Sequence, residues 1–395
     1  MSRYIQVLRH PVVARLSLIQ LISYFGTWFS QVAIFSMLVE YQASAITISL
    51  TAAMAMLPAV VLAPVIGIVI DRIPFKRLMM TLLIIEICMT IGFTFINNLT
   101  QVWLLMLFIF IRSAASSMLF SAEMSLFPKI IEGDMLKNTN EVHSIIWSFT
   151  YAAGMAAGGV ATYYFGYDTA FLIDALLYTV AFFILLGLKL DLALPEKLHS
   201  HWQMFKNGFD YLRSHPKLLH LIFLHATLGL TSFDALVTLL ADYQYKILIA
   251  VPLAIGWINA VRATALMIGP FFIGNWINSQ NLHRFFLLEG FAIILWSQMQ
   301  DNFYWSLVAL FGVGFFTSTL WSYTYLMLQE ETESDYMGRI ISYNDMFFML
   351  SNIATALFIG YAFKWGLSLS ATTFTLGIGF IGAALYYLWF RKKYL

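Results

Sequence analysis

Charge is scarce in this sequence. Asp, Glu, Lys and Arg make up 11% of its 395 residues, against about 25% in an ordinary soluble domain. A chain so poor in charge cannot cover a water-facing surface. Cysteine is scarcer still: Cys88 stands alone, which excludes a disulfide framework and a thiolate metal cluster. There is no Gly-Lys-Ser/Thr phosphate loop, so ATP hydrolysis by that mechanism is excluded. No His-x-x-x-His pair offers a metal site. No cofactor is expected, and the chain does not read as an enzyme. With a net charge of +1, nothing points to nucleic acid as a partner.

What fills the sequence is apolar. Sixty per cent of the residues are hydrophobic and the mean hydropathy is +0.77. A helix crossing the hydrocarbon of a bilayer needs roughly 20 mostly apolar residues. Segments of that length follow one another near 16–39, 46–70, 78–97, 101–127, 139–165 and 168–188, then near 218–243, 251–275, 284–300, 302–328, 339–363 and 366–390. In lipid the backbone must satisfy its own hydrogen bonds, and continuous apolar runs are not the alternating strands of a barrel. The expected fold is therefore all-α and integral to the membrane, with twelve transmembrane helices.

Charge placement tests that count, because Lys and Arg gather in cytoplasmic loops. With both termini inside, 18 of the 22 Lys and Arg residues lie on the cytoplasmic side. Lys246 and Lys364 lie outside, and Arg112 and Arg262 fall within predicted helices. The first fifteen residues carry Arg3, Arg9 and Arg15 without a cleavable signal pattern, and read as a cytoplasmic tail. The expectation is a multi-pass protein of the cell membrane, or of the inner membrane in a Gram-negative cell.

The polar stretch 189–217 holds five of those cations and divides the chain into an N-terminal bundle, 1–188, and a C-terminal bundle, 218–395. Within it Trp202, Phe205, Phe209 and Leu212 repeat at helical spacing. Either an amphipathic helix on the inner leaflet or a solvated linker accounts for them. The halves also resemble each other. Gly67, Asp71, Lys76 and Arg77 follow the second predicted helix; Gly274, Asn278, His283 and Arg284 follow the eighth with the same spacing. Glu132-Gly-Asp-Met-Leu-Lys137 and Glu333-Ser-Asp-Tyr-Met-Gly338 form another related pair. Related six-helix halves with a substrate site between them are a transporter architecture.

Gly67-Ile-Val-Ile-Asp71-Arg72-Ile-Pro-Phe-Lys76-Arg77 resembles the signature loop between helices 2 and 3 of the major facilitator superfamily, with Phe75 in place of its second Gly. The resemblance implies two pseudo-symmetric six-helix bundles and a gating role for Asp71 against the start of helix 11, a charge–dipole contact. Gly154-Met-Ala-Ala-Gly158-Gly159 resembles the helix-5 motif of exporters, with Met155 where that motif has Pro. Close packing of helices accounts for the same glycines. Ser-Tyr-Phe-Gly26-Thr-Trp28, Leu126-Phe-Pro128 and Ala170-Phe-Leu-Ile-Asp174 are similar to the twelve-helix branch that includes enterobactin exporters and macrolide efflux pumps. Thr27 stands where that branch often has Asp. The resemblance implies proton-coupled efflux of an amphipathic small molecule, a siderophore or drug, by a monomer. A lysophospholipid flippase and a non-transporting receptor are the alternatives on the same fold.

The superfamily's helices 1, 4, 7 and 10 face a central cavity. At 100° per residue, Gln20, Ser23, Thr27, Ser30 and Gln31 form one stripe, and Thr227, Thr231, Asp234 and Thr238 another. Arg112, Ser116 and Glu123 share a face of the fourth helix; Ser318, Ser322, Tyr325 and Gln329 share a face of the tenth. Interhelical packing is the competing account. Ionisable groups at membrane depth are costly and point to function or pairing. Asp234 is the first candidate for proton or substrate handling, with Arg262 as the alternative structural partner. Glu86, Glu123 and Arg112 follow. Glu123, Glu289 and Asp345 lie near predicted helix ends, where a solvated or gate-bridging role is expected, and His225 reads as helix packing. The 66 aromatic residues and 19 Met suit an adaptable apolar cavity.

The topology has a direct test. In a Cys88→Ser background, single cysteines at 97–102 and 244–250 are expected to react with an impermeant thiol reagent from outside the cell. Cysteines at 129–137 and 195–215 are expected to be silent, and the reverse pattern would overturn the orientation.

Overall fold

The computed structural model describes residues 2–188, 201–333 and 336–395. Among these the regular structure is helical, with no strand. A short helix, Ser2–Arg9, precedes α1, Pro11–Glu40, which opens on His10 as its cap and Pro11 in its first turn. Proline fits there because the first backbone N–H has no partner within the helix. Next come α2, Ala45–Val61, which kinks at Leu62 and continues as Ala63–Arg72, then α3, Phe75–Phe93, and α4, Val102–Ile130. The run Gly133–Leu186 holds both α5 (133–165) and α6 (167–186). The chain reverses between them at Gly166, whose φ of 78° requires glycine.

The second half holds α7, Pro216–Tyr245; α8, Val251–Ile273; α9, Leu282–Met299; α10, Phe303–Glu331; α11, Met337–Lys364; and α12, Leu369–Tyr394. Eight stretches are long and apolar enough to cross a membrane by length and composition alone. One of them, Met135–Leu186, turns back at Gly166 and crosses twice. With α2, α3 and α9, the twelve expected helices are present. Their even number brings the two termini to one end of the bundle.

One helix departs from expectation. The segment expected as a continuous helix over 218–243 is α-helical only over Pro216–Ala226, tightens to a 3-10 turn over Thr227–Thr231, resumes over Asp234–Leu239 and widens to a π turn over Leu240–Tyr245. Close packing against α11 accompanies this break: a Cβ on Gly229 would lie 2.6 Å from Ser351 Oγ. The freed carbonyl of Thr231 is met at 2.6 Å by Nη2 of Arg262. In an apolar interior that side-chain donor replaces the lost helical bond.

Glycines set how closely the helices approach. Backbone at Gly154 and Gly158 of α5 lies on Phe25 and Phe29 of α1, where a Cβ on Gly158 would run into the Phe29 carbonyl. The broadest contacts between the halves are α5 on α8 and α2 on α11, with α7 and α8 also touching the N-terminal half. In the first, a Cβ on Gly159 would lie 2.7 Å from Pro252 O; in the second, one on Gly360 would lie 2.5 Å from Ser49 Oγ. Both glycine contacts lie toward the end opposite the termini.

The linker residues 189–200, and the side chains of Trp202 and Phe205, lie outside the described residues. The rest of the linker forms the expected helix, His201–Ser214. It packs on the C-terminal half: Leu212 is buried, and Tyr211 stacks on Tyr336 with ring centroids 3.9 Å apart. Phe209 remains exposed.

Gly158→Ile is expected to lower stability by about 1–3 kcal/mol through overpacking. Gly382→Ala, at a position where a Cβ meets nothing within 4 Å, is expected to be neutral. Thermal unfolding of the detergent-solubilised protein, followed by tryptophan fluorescence, makes the comparison; equal shifts would remove the close α1–α5 approach.

Candidate functional site

Buried charge collects in two places. In the N-terminal half, Arg112 of α4 donates through Nη2 to Asp174 Oδ2 of α6 at 2.8 Å and to the Tyr178 hydroxyl at 3.3 Å. Tyr178 shares a 2.7 Å hydrogen bond with Thr27 of α1, and Ser30 donates to the Thr27 carbonyl at 3.3 Å. Glu86 of α3 is buried within electrostatic reach of Arg112, near Ser116. Deeper toward the terminal end, Glu123 Oε2 accepts from Gln20 at 2.9 Å and from the Tyr24 hydroxyl at 3.3 Å. Two buried carboxyl groups, Glu86 and Asp174, thus share one guanidinium, and the third, Glu123, has only neutral partners.

The second cluster straddles the seam between the halves. Asp234 opens the resumed part of α7 and lies beside Gln31 of α1 and within electrostatic reach of Arg262 of α8. Tyr151 of α5 faces Asn259 of α8 at 3.5 Å. The guanidinium of Arg262 sits 4.9 Å from the Phe233 ring centroid. Glu289 of α9 is buried behind it, accepting from Thr317 at 2.7 Å.

The polar stripes therefore divide. On α1, Gln20, Thr27 and Ser30 bond inside the N-terminal half, Ser23 is buried without a side-chain partner, and Gln31 alone meets the seam. On α7 the expected arc assumed an unbroken helix. Thr227, Thr231 and Thr238 instead bond the carbonyls of Leu224, Leu228 and Asp234. On α10, Ser318 is partly buried with its hydroxyl unpartnered, Ser322 bonds the Ser318 carbonyl and is exposed, and Gln329 is exposed. Tyr325 stacks on Trp321, which the stripe had not included. Glu123 and Glu289, expected to be solvated near helix ends, are fully buried because neighbouring helices supply their donors. Asp345 is exposed, as expected.

The side chains of Gly67 and Asp71 lie outside the described residues. Arg72 and Arg77 are exposed. Lys76 donates to the Leu186 carbonyl at 2.7 Å, and Arg15 to the Gly187 carbonyl at 2.6 Å. Two cations thus cap the C-terminal end of α6, where they favour the helix dipole. The exporter-like glycines Gly154 and Gly158 sit at the α1 crossing, and Gly159 sits at the seam.

Two cavities open at opposite ends. One of about 580 Å³ is lined by Glu40, Gly166, Asp168 and Pro252, at the end away from the termini. Another of about 800 Å³ lies toward the termini between α5 and α8, with Lys137, Glu141, Ile145 and Phe271 in its wall.

The profile of the Major Facilitator Superfamily matches residues 16–356. A sequence 27% identical over 261 residues is the uncharacterized MFS-type transporter YfiS of Bacillus subtilis (strain 168). That match takes in 63% of this chain and 60% of the relative, so the chain spans less than two thirds of the relative it matches. Among solved structures, a bacterial homolog of the human lysosomal transporter Spinster, inward-facing and unoccupied, superposes with a TM-score of 0.77 at 12% identity, covering 97% of each chain. The POT family transporter PepTSo gives 0.74 at 13% identity, over 97% of this chain and 98% of that one. The nucleoside transporter NupG gives 0.69 at 14%, over the whole of both chains. These likenesses are of fold.

Asp174→Asn leaves Arg112 buried without its counter-charge and is expected to cost about 3–5 kcal/mol, whereas Arg112→Gln combined with Asp174→Asn recovers part of the loss. Denaturant unfolding of the purified variants reads both; a double variant no more stable than the single one would argue against a compensating pair.

Proposed function

The chain belongs to the Major Facilitator Superfamily, and on that premise we propose that it is a proton-coupled secondary transporter that exports an amphipathic small molecule, a siderophore or drug-like compound, by alternating access. It works as a monomer with both termini in the cytoplasm.

The observation that carries the coupling is the surplus of buried acid over base. In the N-terminal half Glu86 and Asp174 face one guanidinium and Glu123 has only the neutral Gln20 and Tyr24, and Asp234 and Glu289 face Arg262 in the other half. An apolar interior does not tolerate uncompensated carboxylates. Electroneutrality is reached by binding protons, which makes the surplus acids proton carriers. Asp234 is the coupling group because it lies beside Gln31 of the other half, at the seam, the surface that must part as the halves rock.

Alternation is supported by the seam itself. The close Gly159–Pro252 and Gly360–Ser49 approaches lie toward one end, and the larger cavity lies toward the other. This conformer then opens to the cytoplasm and takes substrate from there. Export as the direction rests on the resemblance of Gly154, Gly158 and Gly159 to the exporter motif.

A flippase of lysophospholipids is the second reading, favoured by the cleft between α5 and α8. Its wall joins a cation and an acid, Lys137 and Glu141, to the apolar Ile145 and Phe271, which suits a zwitterionic headgroup with a single tail.

Purified protein in liposomes, with substrate flux and proton flux followed together across a pH series, tests both readings. Siderophore, drug-like and lysophospholipid substrates form the panel. Asp234→Asn is expected to abolish pH-driven net transport and to leave substrate binding in place. Proton-coupled transport by that variant with an unchanged pH profile would remove Asp234 from the mechanism and leave Glu86 and Glu123. Transport of lysophospholipid alone would select the flippase.

A further inference from the structure

The C-terminal half holds a group of residues that neither buried charge cluster uses. We propose that His225, Trp321, Tyr325, Phe348 and Asp345 form a binding site for a protonated aromatic amine. The proposal rests on the transporter reading for its purpose, because it gives the substrate class.

The chemistry starts at His225, which is fully buried. Its Nδ1 lies 2.9 Å from Thr324 Oγ1. That hydroxyl has one proton, and the Leu320 carbonyl 2.8 Å away is an acceptor for it. With the proton there, the Thr324 oxygen accepts from Nδ1, and Nε2 is a bare lone pair. Nε2 has no partner. A buried acceptor left in this state is unfavourable until a donor arrives.

Aromatic rings stand around that imidazole. Trp321, Tyr325 and Phe348 have their centroids 5.5, 5.7 and 5.5 Å from it. Trp321 and Tyr325, one turn apart on α10, stack at 4.9 Å with planes 17° apart. Trp321 keeps 40% of its surface exposed while contacting α7 through His225. Asp345, one turn before Phe348 on α11, is exposed and within electrostatic reach of Tyr325.

Each component selects the same partner. A lone pair asks for an N–H or O–H donor. Ring faces carry negative potential and attract cations, and a carboxylate attracts cations and repels anions. A flat ring adds stacking on the exposed indole. A planar amine that is protonated at neutral pH satisfies all four.

Comparison of the halves shows how the site arose. Gln20 and His225 each stand nine positions beyond the proline that opens α1 and α7, and Glu123 and Thr324 each stand twenty-one beyond the first residue of α4 and α10. Both pairs are hydrogen-bonded at 2.9 Å. A contact at matching positions is thus built twice: around an acid whose Oε2 accepts from Gln20 and Tyr24, and around an imidazole whose Nε2 has no partner. Trp321 takes the position of Phe120 by the same count.

The test is equilibrium binding to the purified full-length protein in detergent, corrected for empty micelles, with two fluorescent probes. The first is 9-aminoacridine, a planar cation with N–H donors; the second is 8-anilinonaphthalene-1-sulfonate, an aromatic anion. Saturable binding of the cation, without displacement by the anion, is expected. Tyr325→Leu and His225→Phe are each expected to weaken it about tenfold, and Asp345→Asn about threefold or more, given the strength of cation–π and charge contacts in desolvated sites. No saturable binding of the cation, equal affinity for the anion, or unchanged affinity in both Tyr325→Leu and Asp345→Asn would overturn the site. If His225→Phe does not fold, Tyr325→Leu and Asp345→Asn, at side chains that are not fully buried, still decide the question. The assay contains no pH gradient, so a failure of proton coupling leaves its result unaffected.

Discussion

A guanidinium inside hydrocarbon must keep a counter-charge, and for Arg112 that is Asp174, 2.8 Å away. Much of the N-terminal half is arranged around this one contact. It joins the middle of α4 to α6, and Tyr178 extends it to Thr27 of α1. Position 26 has to be glycine for the same reason, because a Cβ there would run into the Asp174 carboxylate. The smallness of Gly26 lets α1 pass close to the same acid. Helices α1, α4 and α6 are thus fixed to one another through polar contacts that have no alternative partner in lipid.

The C-terminal half solves the same problem differently. Arg262 directs a nitrogen at the Thr231 carbonyl, so its positive charge stabilises unwound backbone as well as facing Asp234. A broken helix at membrane depth is tolerated where its polar groups find protein partners, and here the break brings the N-terminal turn of the resumed helix to the seam. An acid at that turn is favoured by the local dipole. The unwinding and the position of Asp234 are one feature, and Arg262 holds both.

The sequence made the twelve crossings legible because the bilayer sets the length of each apolar run and the loops carry the cations. Gly166 marks the reversal between α5 and α6, and the amphipathic spacing of Phe209 and Leu212 marks the linker helix. The break in α7 was not legible, because Thr227–Thr231 contains no proline and Gly229 in a membrane helix most often means close packing. That packing is present, against Ser351, and the loss of helical geometry comes with it. Arg112 announced a need for a partner, but helix-face arithmetic on α4 alone cannot supply one from α6. Depth counted from the helix ends could have: Arg112 and Asp174 lie ten and seven residues into their helices from the same end of the bundle. The α7 threonine hydroxyls bond their own helix backbone, and such a bond by itself marks no cavity.

Where an acid sits decides what its proton can report. Glu86, Glu123 and Asp174 have the partners seen here on helices of their own half. If the halves move as rigid bodies, those surroundings are the same in both states, and the affinity of these acids for a proton cannot depend on conformation through them. A ligand shifts an equilibrium only by the difference in its affinity for the two states. On the proposed proton-coupled reading, Asp234 meets that condition. It lies beside Gln31 of the other half, and Tyr151 and Asn259 face each other across the same seam. Parting the halves at this depth would change the surroundings of the Asp234 carboxylate while Arg262, on its own half, stays with it, so its affinity for a proton would follow the state of the seam.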